Sequence, residues 1–358
     1  MNKFTNTRIE FHILQSFPVS CLNRDDVGSP KSAIIGGVER ARVSSQCWKR
    51  AVRTELQNLG VVTAERTKLV TAKIAAECIK LGASPEEAEK CGNAVASLLT
   101  KTVKDGRSDT LLFLSNAEAA AIADLCKSSS NGEELIANES FKAPNEKELK
   151  KCLTELRFSA ADGLDIALFG RMVAQIADLN IEAAASFAHA ISTHKVSSEI
   201  DFFTAVDDAD DAPGSAHMGS LEFNSATYYR YVSLDLGQLA DNLRTEEIGD
   251  AVEAFVKALF IAYPSARQTT MAAMCPWNYA LVTCRKGQGI QLPFNQPVRP
   301  GMGEDMVSAS IAALQQRFEE ISSMYGSLFN LQNKFEVAPG KGNIDDLIVG
   351  LRNQITAM

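Results

Sequence analysis

The chain has 358 residues, 46% of them hydrophobic, and a formal charge of −8. This length and composition suit one large or two ordinary domains with a sizeable core. A pI near 5.2 argues against a general nucleic-acid binder, whose usual sign is a strongly basic domain. The eight cysteines are scattered with no C-x-x-C, so zinc ribbons and dithiol redox motifs are not expected, and free thiols in a reducing cytoplasm are. The first apolar run, 11–17, is short and interrupted by His12, Gln15 and Ser16, so no secretion signal is expected. The longest uncharged run, 268–284, contains Pro276, Asn278 and other polar residues, so no membrane span is expected either.

In chain order, the loose alternation over 8–17 predicts a strand, closed by Pro18. A basic island follows over 21–53. It holds seven cations (Arg24, Lys31, Arg40, Arg42, Lys49, Arg50, Arg53) against three acids (Asp25, Asp26, Glu39). Within an acidic chain this is an electrostatic footprint for a polyanion. Gly36 and Gly37 allow close backbone approach. Ser44 or Ser45 reads as the cap of a helix from Gln46 to about Gly60. Lys49, Arg50 and Arg53 fall in its first turns, where spacing brings them together and the helix dipole adds attraction for a phosphate. The alternative is a solvated basic helix with no ligand.

Residues 63–156 read as a helical block without strand character. Periodicity predicts helices over 63–81 and 116–127. Ser84-Pro85-Glu86-Glu87 starts a helix running to about Lys101, and Asn145 with Glu148 forms a second capping box. Strand character returns over 165–173 and 184–196. Two arms over 197–206 and 217–236, rich in Phe, Tyr and Val, flank the polar run 207–214 and predict a long hairpin. A helix over 245–263 ends at Pro264, a strand spans 271–284 before the Gly287-Gln288-Gly289 turn, and a helix spans 302–325. The order suggests an α+β, ferredoxin-like core with a helical insertion.

Chemical motifs are sparse. His189 and His194 would point to opposite faces of a strand and cannot share a metal. No nucleophile motif, P-loop or dinucleotide fingerprint is present. Asp207, Asp208, Asp210 and Asp211 could take a divalent cation or serve as a soluble hairpin tip. Phe202 and Phe203, adjacent on a strand, cannot both enter one core, so one is available to a base or a partner.

Together these motifs resemble the CasC family, the repeated backbone subunit of the type I-E CRISPR Cascade complex, within the RAMP superfamily. The resemblance rests on Cys21 through Asp26, Gly36-Gly37, Arg42 through Gln46, Lys49-Arg50, Asp165 through Leu168 with Gly170-Arg171-Met172, His189-Ala190-Ile191, Thr193-His194, Phe203 through Val206, Gly214 through His217 and Tyr229-Arg230-Tyr231. It implies an RRM/ferredoxin-like palm (1–60, 161–196 and 229–358), an inserted helical fingers domain (61–160) and a long β-hairpin thumb (197–228). It also implies a cytoplasmic, non-enzymatic subunit of antiviral defence, without cofactor or metal. The expected partners are the CRISPR guide RNA, further copies in a helical filament, the other Cascade subunits and the target DNA. Arg24, Lys31, Arg42, Gln46, Lys49, Arg50, Arg53 and Arg171 would then hold RNA, Met172 would pack against a base, and Phe202, Phe203, Thr204 and Met218 would form the wedge. Phe202 stands where the family often has Trp. A metal-dependent ribonuclease using Asp26 or the 207–211 acids is the competing reading, and a protein-only scaffold is a third.

Overall fold

The structure is a computed structural model, and it describes residues 2–101, 103–128, 140–156, 158–159, 162–205 and 217–358. The acidic run 207–211 lies outside them. The elements begin with β1 (Thr7–Ser20), β2 (Ser32–Ile35), β3 (Val38–Val43) and α1 (Ser45–Asn58). Next come β4 (Glu65–Thr67), α2 (Val70–Lys80), α3 (Pro85–Leu99), β5 (Val103–Lys104), β6 (Arg107–Ser108), β7 (Leu112–Leu114), α4 (Asn116–Ser128), α5 (Glu146–Glu155) and α6 (Leu164–Phe169). They are followed by β8 (Ala185–Phe187), β9 (Ala190–Ser192), β10 (Glu199–Ala205), β11 (His217–Asp235), α7 (Leu236–Leu243), α8 (Gly249–Ile261) and α9 (Gln268–Met271). The chain closes with β12 (Tyr279–Lys286), α10 (Met306–Tyr325), β13 (Leu331–Val337) and α11 (Ile344–Ala357).

Two compact units result. One comprises Met1–Thr5, Leu56–Ala185 and Leu236–Ala254, the other Asn6–Glu55, Ser186–Asp235 and Phe255–Met358. The helical block expected over 61–160 thus lies in a unit that continues to Ala185.

The second unit is built on a large antiparallel sheet in the order β13-β12-β1-β11-β9-β3-β2. Its central pair is β1 and β11, in register from Arg8 opposite Asp235 to Phe17 opposite Ala226. β1 runs past Pro18, where a strand end was expected. A register shift between Phe17 and Ser20 absorbs the proline, which cannot donate to a ladder and is tolerated at such bulges. β11 is unusually long for a strand. Residues 224–235 belong to the sheet, and 217–223 leave it to pair with β10 as a hairpin.

The other unit packs α2, α3 and α4 around Val70, Ile74, Val95, Leu99, Ile122 and Ala123. Both expected capping boxes are present, Ser84 with Glu87 and Asn145 with Glu148. The uniform helix expected over 63–81 divides into β4 and α2, with the Thr67 hydroxyl accepting from the Leu69 N–H. Two short ladders, β4–β7 and β5–β6, interrupt the block that was read as purely helical. The strand expected over 165–173 is α6, a short helix bounded by left-handed Gly163 (φ 76°) and Gly170 (φ 79°). At Gly170 a Cβ would come within 2.8 Å of the Ile181 carbonyl oxygen.

Candidate nucleic-acid interface

The basic island is organised by α1. Ser44 caps it, its hydroxyl accepting from the Cys47 N–H at 3.3 Å. The buried stripe is Trp48, Ala51, Val52 and Leu56, the spacing of an amphipathic helix. Trp48 packs near Phe17 and Tyr228 in one cluster, and burying such a side chain contributes roughly 2–3 kcal/mol. Beneath it lies Arg230 of β11, 1% exposed, its guanidinium 3.5 Å from the indole centre. That distance is a close cation–π contact. Arg230 donates to Gln15 Oε1 at 2.5 Å. Burial pushes its pKa down to about 9.

The loop before the helix is tied down locally. Asp25 Oδ1 accepts from the N–H groups of Val27 and Ser29 at 3.0 and 2.9 Å, and left-handed Gly28 (φ 97°) closes the turn. Asn23 Oδ1 accepts from the Ser44 N–H at 2.9 Å, joining this loop to the helix start. Arg24, Asp26 and Arg50 are exposed and Lys31 is half-buried.

Arg24 and Arg50 line one cleft of about 1160 Å³, between residues 22–28, the outer face of α1 and residues 263–268. Arg267 lines the same cleft. Arg24 and Arg267 both act electrostatically on the Cys21 thiol, which burial pushes up despite them. Lys31 and Arg50 do the same at Cys47, again overcome by burial.

The island does not converge on one spot. Lys49, expected beside Arg50, leans the other way, 5.9 Å above the Phe187 ring. Burial lowers its pKa. Arg53 is half-buried and Gln46 is exposed. Arg42 donates from Nε to the Ser32 carbonyl at 3.1 Å, and its Nη1 lies 3.4 Å from His189 Nδ1. Arg40, a further cation of the island, is fully buried and donates to the Ser192 and Phe294 carbonyls.

The hairpin carries the expected wedge residues. Phe202 is paired with Ser220, Phe203 with Gly219 and Thr204 with Met218. Alternation therefore puts Ile200, Phe202, Thr204 and Met218 on one face and Phe203 on the other. Phe202 is 75% exposed, Met218 67% and Ile200 65%. Three large apolar side chains on one solvent-facing surface form a patch that calls for a partner. Ile200 belongs to it although the expected wedge comprised only Phe202, Phe203, Thr204 and Met218. Phe203 lies across Gly219 on the opposite face.

Arg171 and Met172 belong to the other unit and have opposite fates. Arg171, a candidate RNA contact, is turned inward. It donates to Glu118 Oε1 at 2.6 Å and to the Leu179 carbonyl at 3.3 Å. Its side chain is 4% exposed, so the RNA role is withdrawn for it. Its backbone also pairs with Ile181, and this closed loop presents Met172, 78% exposed. Sequence reasoning had no means to see Glu118, 53 positions away, as the partner. Arg267 was missed as well, for it carries no motif.

The chain matches the CT1975-like protein family over residues 9–346. It belongs to that family. Comparison with solved structures aligns 97% of this chain with all of a chain from a "CRISPR RNA-guided surveillance complex, pre-nicking", at 28% identity and a TM-score of 0.80. A chain of a second "CRISPR RNA-guided surveillance complex" aligns over 96% of this chain and 99% of its own length, at 22% identity and a TM-score of 0.67, a likeness of fold. A comparison with curated proteins finds no match. Among the described residues no group of three or more His, Cys, Asp or Glu could hold a metal ion, and no helix is long and apolar enough to cross a membrane.

Proposed function

We propose that this protein is a non-catalytic guide-RNA-binding subunit of a CRISPR RNA-guided surveillance complex. In this reading it is the repeated backbone subunit of a type I-E complex, stacking along the RNA in copies of itself. The observation that carries the proposal is the reciprocal, near-complete alignment to a chain of such a complex, on a protein whose own surface offers cations in a cleft and an apolar hairpin face.

The strand order supports an RRM-like palm. β12, β1, β11 and β9 are neighbours, and α1 and α8 fall in the connections of a β-α-β-β-α-β order. The chemistry fits a scaffold that must accept any spacer. Phosphate contacts by Arg24, Lys31, Arg50, Lys49 and Arg53 position RNA without reading it, and stacking on Phe202 is base-tolerant. The hairpin face with Met218 would part neighbouring bases and kink the strand, leaving the bases between kinks to pair with target DNA. Met172 would touch a base from its own loop.

The test is to purify the protein from cells expressing its own CRISPR array and record size and the 260/280 nm absorbance ratio. A large particle with RNA whose length follows the spacer is expected. A nucleic-acid-free monomer from cells that also supply the companion subunits overturns the reading. Incubating the particle with magnesium and complementary RNA checks the non-catalytic part: regular cleavage products would return the ribonuclease reading with Asp26 as its first suspect.

A further inference from the structure

The cleft beside α1 has a third wall that the resemblance does not touch. Residues 263–268 close it opposite Arg24 and Arg50 and put Arg267 on the lining. The backbone there is unusual. Arg267 has φ 57° and Ala272 φ 48°, so two non-glycine residues in the left-handed region bracket α9. Such conformations are uncommon outside glycine and persist where surrounding structure over-determines them. Gln268 supplies that restraint, its Nε2 donating to the Pro264 carbonyl at 2.8 Å and the Ala273 carbonyl at 3.2 Å. The loop is thus pinned in a shape that holds Arg267 at the cleft.

The arginines of the cleft are not engaged with its acids. Among the described residues, no hydrogen bond or ion pair engages the side chains of Arg24, Arg50 or Arg267. The cleft also holds Asp25, Asp26 and Glu55. Asp25 is occupied by its own turn, and Glu55 has an interaction of its own. The lining is formally balanced, three acids to three arginines, but the three guanidiniums remain open to a ligand. Guanidinium groups bind phosphate through paired N–H donors, and a set converging on one cleft suits an anion with several oxygens.

We infer that Arg267 is a third phosphate-positioning residue, clamping an RNA phosphodiester against Arg24 and Arg50 so that the strand passes between α1 and the 263–268 loop. This rests on the guide-RNA reading above. It adds a contact from a part of the chain more than 200 residues away from the basic island.

The experiment measures binding of the full chain to two fluorescent single-stranded RNAs of unrelated sequence across a salt series. Arg267→Ala and Arg267→Gly are both made, since glycine suits the left-handed backbone and separates loss of the guanidinium from strain. Both variants are expected to bind about tenfold more weakly at low salt, for either sequence, as befits one lost charge-assisted contact. The slope of log affinity against log salt should shrink by about 0.7. Arg267→Lys should keep the slope, and Lys147→Ala, an exposed cation of the other unit, should change neither quantity. Parent-like binding and slope in both Arg267 variants, while Lys49→Ala/Arg53→Ala weakens binding, would overturn the role of Arg267 and leave the RNA reading standing. Absence of RNA binding by the parent itself would remove both.

Discussion

The Phe203 ring lies across Gly219, its paired neighbour on the hairpin. A Cβ at position 219 would sit 2.5 Å from the ring's Cζ atom, inside any tolerable contact. The glycine is therefore a seat, and the ring covers backbone that glycine leaves bare. Gly219→Val should unseat Phe203 and loosen β10 from β11 by on the order of 1 kcal/mol. Amide hydrogen exchange over 199–204 should speed up about fivefold, with β1 unchanged. Equal exchange in variant and parent would show that the ring is placed by something else.

Phe202 and the cations of α1 should separate in a salt titration. Phe202→Ala removes a stacking surface worth roughly 1–3 kcal/mol per base, so RNA affinity should fall by one order of magnitude or so with the salt slope untouched. Lys49→Ala/Arg53→Ala should instead reduce the slope, by about 0.7 for each phosphate no longer neutralised. Anisotropy at several salt concentrations distinguishes the two. A slope change in Phe202→Ala would mean the hairpin acts by placing the backbone.

Under the sheet, Glu10 and Arg285 form a buried ion pair inside a larger network. Glu10 also accepts from the Tyr231 hydroxyl at 2.7 Å and the Ile290 N–H at 2.5 Å. Arg285 donates to the Phe329 and Gln288 carbonyls at 2.5 and 2.7 Å. Removing one partner leaves an uncompensated buried charge, so Glu10→Ala should cost about 3–5 kcal/mol in chemical denaturation. Glu10→Met/Arg285→Met should cost clearly less than the sum of the single changes. Additive losses would mean the two charges are not energetically coupled.

Acid should weaken this unit through His12. Burial pushes its imidazole down to about 4, against the pull of Glu10 and with the push of Arg285. The Tyr229 hydroxyl lies 2.9 Å from its Nδ1 and accepts from the Leu292 N–H. In the unfolded chain the imidazole titrates near 6.5, so between these values the unfolded state binds more protons. The stabilisation is complete above pH 6.5 and is lost as pH falls toward 4, by up to about 3 kcal/mol. Denaturation midpoints for the parent and His12→Asn should converge across that window. A constant gap between them would discard the buried imidazole as the cause.

What could be read from sequence was local. The Ser84–Glu87 and Asn145–Glu148 boxes announce their helices within four residues, and the aromatic arms announce the hairpin. The ladders β4–β7 and β5–β6 were invisible because strands of two or three residues have no room for alternation. Over 165–173 the apolar run resembled a buried strand, and the two left-handed glycines that make it a helix show only in three dimensions. Arg171 resembled a ligand residue because its tertiary partner Glu118 is remote in sequence. Arg267 resembled nothing, since its place depends on how residues 263–268 fold back to the cleft.

β11 acts as a lever arm. Arg230 grips α1 through Trp48 near one end of the strand, and Met218 rides near the other, twelve residues or roughly 40 Å away along an extended chain. A tilt of about 3° at the grip would swing the far end by about 2 Å along that length, more than half the spacing of stacked bases. Sequence changes deep in this sheet, far from any nucleic acid, would therefore show up as a change of aim at the hairpin.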